Sequence, residues 1–351
     1  MNSSKYFLIT IDVEDWFQVE NFKPWVPFST WDSRELRVER NVHRLLDLFD
    51  SIALPPESPN VTKAPNPINA TNTNDAIDET NAANAINARI PRATFFILGW
   101  IAKRLPHIVR GIASRGHEVA SHGCDHELPN NLNINKLKND LHSSRKRLED
   151  ILGTQVKGYR APSFAINDHI LKIIEECGYL YDSSYNSFGL HQRYGKISLN
   201  GNQKYRMGYK LSKNFYELPI SNIDLKIPLG SKFRHPNLFN TRDWNFVLPF
   251  GGGGYFRLLP YLISRLAIRY KFKDEAALVF YMHPWEIDPE QPKVTAAPLK
   301  YRFRHYTNLK STYKKLRRMI TDFRSSHFIT CAQFIGEVAS RRHEVSIEEV
   351  N

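Results

Sequence analysis

Three carboxylates, Asp12, Glu14 and Asp15, follow directly on a short β-branched, apolar run, Leu8-Ile-Thr-Ile11. Clustered acids repel and desolvate one another unless something positive compensates. At the C-terminal end of a strand, where α/β folds place their ligand clefts, that something is a metal or a basic partner. The plainer alternative is a solvated turn in which Asp15 caps the next helix. About a hundred residues on stand His122 and His126, four apart. That spacing lets two imidazoles converge on one cation. Two histidines and one carboxylate leave positions open for water, as catalytic zinc requires, although surface His pairs of the same spacing are common. Cys124, between them, would suggest a structural Cys-His-His set, but no fourth ligand stands at a suitable spacing.

Three more residues belong with these. Arg160, before Ala161-Pro162, is placed to make a charge-assisted bond to a buried carboxylate and hold it ionised, or else to sit at a surface turn. Asp182 positions a neighbouring group or caps the turn at Ser183-Ser184. His283 ends a fully apolar run, where a general acid would stand and where a satisfied core histidine is the common alternative.

The elements that must position them read as alternating strands and helices. Tyr6–Asp12 is the first strand, followed by an amphipathic helix marked by Val38, Val42, Leu45, Leu46 and Phe49, with Ser33 as its cap. Ala93–Leu98 and Glu118–Ser121 are strands, the second running into His122. One helix passes through Ile108, Val109 and Ile112, and another carries Leu137, Leu141, Leu148 and Leu152. Val156–Tyr159 leads into Arg160, a helix spans Asp168–Cys177, and Ala277–Met282 delivers His283. Residues 186–250 read as loops and short antiparallel pieces. Four glycines, Gly251–Gly254, form a turn before a helix, since the Lys-Ser/Thr of a phosphate loop is missing. Residues 53–90 turn to Pro, Asn, Ala and Thr without periodicity, the signature of a disordered insertion. Polar clusters at strand exits point to a parallel α/β sheet or barrel.

Composition sets the bounds. At 351 residues and 42% hydrophobic, the chain can bury a large core. A net charge of +12 favours anionic surroundings, but no basic run interleaved with aromatics marks a nucleic-acid motif. Three cysteines without a CxxC argue against a disulfide framework and agree with a reducing compartment. With no secretion signal and no apolar stretch near the roughly 20 residues of a spanning helix, the expected location is cytoplasmic, with a contact peripheral to the inner membrane as the alternative. The basic charge and the apolar segment Tyr255–Ile268 would serve such a peripheral contact.

The ordered set Asp12…Glu14-Asp15, Ala93-Thr-Phe-Phe96, His122-x3-His126, Arg160-x-Pro162, Asp182-Ser183-Ser184 and His283 resembles the NodB-homology polysaccharide deacetylases, carbohydrate esterase family 4. It is more closely similar to the branch found with bacterial exopolysaccharide and exosortase clusters. The echoes are Phe-Phe-Ile-Leu-Gly-Trp-Ile-Ala, Gly-Tyr-Arg-Ala-Pro-Ser-Phe, Tyr-Phe-Arg-Leu-Leu-Pro, His-Pro-Trp-Glu and Arg304-His-Tyr-x-Asn-Leu309. The resemblance implies a distorted (β/α) barrel over residues 1–290, with a C-terminal extension, 291–351, packed on it. It also implies a divalent metal, usually zinc, and hydrolysis of an N-acetyl group from an amino sugar. Carried over residue by residue, Asp12 is the base and His122 and His126 hold the metal. Arg160 steadies the base, His283 protonates the leaving amine, and the Ser163 N–H holds the oxyanion, with Asp182 in the same catalytic set. Much of the family has adjacent Asp-Asp-Gly, so the carboxylate ligand here is Asp15 by side-chain length, with Glu14 open. The implied substrate is an N-acetylated bacterial polysaccharide or its lipid-linked precursor. The alternatives are a cyclic-amide hydrolase resembling allantoinase and a catalytically silent glycan-binding protein.

Overall fold

The apolar run at the N-terminus forms a strand, β1 (Tyr6–Val13), buried along its whole length, as a central parallel strand must be. In this computed structural model, which describes residues 4–55, 89–188, 194–199, 202–205, 207–227 and 244–337, β1 runs parallel to β11 (Ala277–Met282) on one side and β2 (Ala93–Ile97) on the other. The ladder continues in parallel through β3 (Glu118–Ser121), β4 (Gly158–Tyr159), β5 (Tyr181–Asp182) and β8 (Tyr216–Glu217). Two antiparallel strands, β7 (Gly208–Lys210) and β6 (Gln203–Tyr205), extend it. A separate antiparallel pair, β9 (Ile223–Ile227) with β10 (Trp244–Leu248), completes the irregular middle of the chain.

The sheet curls back on itself. Just past β8, the Ser221 N–H donates to the Val279 carbonyl of β11 at 3.2 Å, and the Val279 N–H donates to the Ser221 hydroxyl at 2.9 Å. This junction brings the two ends of the ladder together as a distorted (β/α) barrel. Residues 291–337 add to the same body: β12 (His327–Phe328) pairs with β1, so the sheet extends into the C-terminal part of the chain.

Helices cover the outside: α1 (Val38–Asp50), α2 (Gly99–Arg104), α3 (Pro106–Ser114), α4 (Ile134–Leu152), α5 (Asp168–Glu176), α6 (Gly253–Leu258), α7 (Tyr261–Asp274), α8 (Leu299–Tyr306) and α9 (Leu309–Asp322). Prolines divide two segments that read as continuous. Pro106 opens α3 and separates it from α2, and Pro260 separates α6 from α7, because proline lacks the N–H a helix interior needs. The strand expected from Val156 is only Gly158–Tyr159. Ser33 does not cap α1; it ends a short 3-10 turn, Phe28–Ser33. The insertion 53–90 lies largely outside the described residues, and its neck is closed by Leu54 and Arg89, which exchange backbone hydrogen bonds at 2.7 and 3.2 Å.

Strand alternation then decides what faces the site. Phe7, Ile9, Ile11 and Val13 pack in the core beneath the helices, whereas Tyr6 and Leu8 join Phe96, Tyr181 and Val279 in a separate core inside the barrel. Thr10 and Asp12 continue that inner row toward the C-terminal mouth.

Candidate active site

Asp12 leaves β1 at the mouth of the barrel and is buried there with Arg160, which β4 delivers from across the interior. Arg160 Nη1 donates to Asp12 Oδ1 and to Thr10 Oγ1, both at 2.7 Å, while Nε and Nη2 donate to the Ser183 carbonyl and hydroxyl at 2.8 Å. The guanidinium lies over the Phe96 ring, 4.2 Å from its centroid. A buried charge so fully hydrogen-bonded fixes one carboxylate oxygen of Asp12, and Oδ2 has no hydrogen bond among the described residues.

Glu14, His122 and His126 converge beside it, each offering a ligand atom within 4.8 Å of the others, all buried. His122 Nδ1 stands 2.8 Å from the Arg160 carbonyl oxygen. A carbonyl only accepts, so Nδ1 bears the proton and Nε2 keeps its lone pair. His126 points Nε2 at Glu14 Oε2, 2.9 Å away, and Nδ1 toward Glu20 at 3.8 Å. Burial would raise the Glu14 pKa, but the surrounding histidines outweigh it and bring it down to about 2. Burial pulls His122 down to about 4 against the pull of Asp12, whereas at His126 Glu14 overrides burial and raises it to about 9.

These residues fit a divalent cation. Glu14 Oε2 is buried and faces the His126 ring nitrogen, yet makes no properly aligned hydrogen bond. Two ligand-type atoms in contact without a hydrogen bond are what a shared ion satisfies. The N,N,O donor set suits zinc and similar borderline metals.

Asp15 stands elsewhere. Its carboxylate accepts N–H bonds from Trp16 at 2.8 Å, Arg37 at 2.7 Å and Val38 at 2.9 Å, so it caps the start of α1. The preference for Asp15 over Glu14 as the carboxylate beside the histidines is therefore corrected: both oxygens of Asp15 are taken by backbone, and its side chain points away from them. Asp182 is also set back from the cleft. It accepts from the Ser184 N–H at 2.8 Å and the Ser184 hydroxyl at 2.7 Å, the turn-capping alternative, and that hydroxyl accepts from the Ala161 N–H. Across the ladder from it, Glu217 is buried, and burial together with the Asp182 charge pushes its pKa well up.

Ser163 and Phe164 line the cleft with left-handed backbone, φ 52° and 59°, as does His126 at 56°. Non-glycine residues adopt this region at a cost of order 1–2 kcal/mol each, and here three of them ring one cleft. Opposite, His283 places Nε2 3.2 Å from Glu14 Oε1 and Nδ1 2.8 Å from Glu286 Oε1. Glu286 in turn meets Arg257 Nε at 2.6 Å, in a pair that is almost wholly enclosed. The His283 ring stacks on Trp285, and Trp285 on His305, with centroids 5.1 and 4.1 Å apart. Sequence reasoning gave no role to Glu286, Arg257 or His305. All three stand inside motifs shared with the family branch, His-Pro-Trp-Glu, Tyr-Phe-Arg-Leu-Leu-Pro and Arg304-His-Tyr-x-Asn-Leu309, and Arg257 also interrupts an apolar segment.

Residues 77–181 match the family described as polysaccharide deacetylase, and residues 183–335 match a domain of unknown function, DUF3473. A peptidoglycan-N-acetylglucosamine deacetylase from Bacillus cereus is 33% identical over 87 residues, which is 25% of this chain and 40% of that protein. A chitooligosaccharide deacetylase from Azorhizobium caulinodans is likewise 33% identical over 87 residues, 24% of this chain and 41% of that one. The match thus spans well under half the length of these relatives. A Mycobacterium smegmatis structure classed as a polysaccharide deacetylase shares the fold, with a TM-score of 0.52 at 18% identity over 97% of this chain and 92% of that chain. Residues 77–181 are thus similar to the polysaccharide deacetylases, and the chain shares the fold of a structure classed among them. His122, His126, Arg160 and Ser163 fall in the first matched span and His283 in the second, while Asp12 and Glu14 precede both.

Proposed function

We propose that this chain is a metal-dependent N-deacetylase acting on an N-acetylated amino sugar of a bacterial polysaccharide or of its lipid-linked precursor. The observation that carries this reading is the meeting of Glu14, His122 and His126 beside an Asp12 held by Arg160. Those three side chains would hold the cation, most readily Zn2+, which when bound lowers the pKa of a water and polarises the amide carbonyl.

The protein's own groups supply the rest. With Oδ1 fixed by Arg160, Asp12 takes the proton of the attacking water on Oδ2. The Ser163 N–H steadies the negative charge that develops on the amide oxygen. An amine leaves poorly unless protonated, and His283, on the other side of the cleft with Nδ1 held by Glu286, donates that proton from Nε2. Asp182 acts at one remove, holding the Ser184 hydroxyl that supports Ala161. On this reading residues 1–290 carry the catalytic machinery and 291–351 form the extension, whose Arg304 and His305 reach the cleft wall. Three free cysteines, Cys124, Cys177 and Cys331, favour the reducing, cytoplasmic side of a membrane.

The test is acetate release from N-acetylhexosamine oligomers by the purified protein supplied with zinc, with Asp12→Asn as control. Release lost in the variant supports the reading. A zinc-loaded protein that binds such oligomers but releases nothing across a broad panel is a glycan-binding protein instead.

A further inference from the structure

We infer that α7, seconded by α8, docks this protein on an anionic lipid surface. Helix α7 is apolar on two sides. Tyr261, Ala267, Ile268 and Phe272 enter the core, while Leu262 (60% exposed), Ile263, Leu266 (55%) and Tyr270 face outward. Among the described residues they are four of the nine exposed large hydrophobics, gathered on one helix of 14 residues. Single exposed apolar residues are ordinary; a contiguous row is not.

The polar residues of the same face are cationic. Arg269 and Lys273 follow Leu266 at helical spacing and are exposed, and the one acidic residue in the helix, Asp274, is its last. Long basic side chains flanking a buried apolar stripe are the composition of helices that lie in a membrane interface. Helix α8 repeats it with Leu299 (77%) and Phe303 (68%) beside Lys300, Arg302 and Arg304.

Charge selects the occupant. A second copy packed face to face would set Arg269 and Lys273 against their equivalents, and the whole chain carries +12. Anionic headgroups complement them. No helix among the described residues is long and apolar enough to cross a membrane, so the contact is peripheral. Helix α8 also borders the cleft, and α7 follows directly on the helix that does. Arg257, in the helix leading to α7, donates to the carbonyls of Arg304 and His305 in α8, and Arg304 lines the cleft itself. Docking here sets the cleft wall beside the lipid, where a lipid-linked sugar would be presented.

Vesicle co-sedimentation of the full chain tests this independently of catalysis. The protein should pellet with phosphatidylcholine vesicles containing phosphatidylglycerol, not with phosphatidylcholine alone, and less so as salt rises. Leu262→Gln with Leu266→Gln should weaken that binding by about tenfold while acetate release from soluble oligomers is unchanged. Arg269→Glu with Lys273→Glu should remove its salt sensitivity. Equal pelleting with neutral vesicles, or binding indifferent to both double variants, overturns the inference. So does a dimer in analytical ultracentrifugation that Leu262→Gln with Leu266→Gln dissociates, which would give the face to a second copy.

Discussion

Arg160 Nη1 lies 2.7 Å from Asp12 Oδ1 and equally close to Thr10 Oγ1, two residues earlier on the same strand face. One nitrogen thus reads the alternation of β1 and sets the rotation of the acid. Replacing Arg160 by Met leaves a carboxylate enclosed with no counter-charge and should cost about 3–5 kcal/mol in urea unfolding. Arg160→Lys keeps the charge but loses the fork that also holds Ser183, so it should fold and lose activity. Asp12→Asn should lower kcat by about 10²–10⁴ while zinc content, read by atomic emission, stays whole.

Glu14 and Asp15 separate cleanly by experiment. Glu14→Gln should fold and lose the metal. Asp15→Asn should retain it but lose about 1–3 kcal/mol of stability, because three backbone N–H groups give up an ionised acceptor. Metal content and melting temperature of the two variants check this. Loss of metal in Asp15→Asn alone would reverse the assignment of ligand and cap.

The sequence held more about these acids than side-chain length did. Carrying the period-two alternation of β1 past Asp12 puts Glu14 on the inner side and Asp15 on the outer. That is how the structure disposes of them. The strands bearing Asp12, His122, Arg160 and His283 were legible because each is a local apolar run with a polar exit. The Arg257–Glu286 pair was not, since its partners stand 29 residues apart and meet only when α6 packs across β11. Nor could local pattern show Arg160 reaching 148 residues back to Asp12; family resemblance supplied that contact.

His283 depends on its partners for direction. Glu286→Ala should lower kcat by about tenfold or more with little change in KM, since the ring loses the acceptor that aims Nε2 across the cleft. It should also cost stability, because Arg257 is left charged and enclosed. Glu286→Gln keeps an acceptor for Nδ1 and should retain more activity than Glu286→Ala. Equal kcat losses in the two would mean that the charge of Glu286, not its aim on the ring, sets the rate.

Away from the cleft, His117 ties stability to pH. Its Nδ1 accepts the Ala93 N–H at 3.1 Å at the start of β2, and its other ring nitrogen is buried without a hydrogen-bond partner among the described residues. Burial, helped by Arg92 and Arg115, pulls its pKa from 6.5 down to about 4. Above pH 6.5 the ring is neutral whether the chain is folded or not, and it contributes no pH dependence. Between 6.5 and about 4 the unfolded chain takes up a proton that the folded one refuses, so stability falls as pH falls. The full loss is about 3 kcal/mol, reached near pH 4. His117→Asn keeps an acceptor for Ala93 and has nothing to protonate. In urea titrations from pH 7 to pH 4.5 the difference between wild type and variant should therefore move against the wild type by about 2 kcal/mol or more. Parallel curves would show that the ring takes its proton without strain and that β2 opens at no cost.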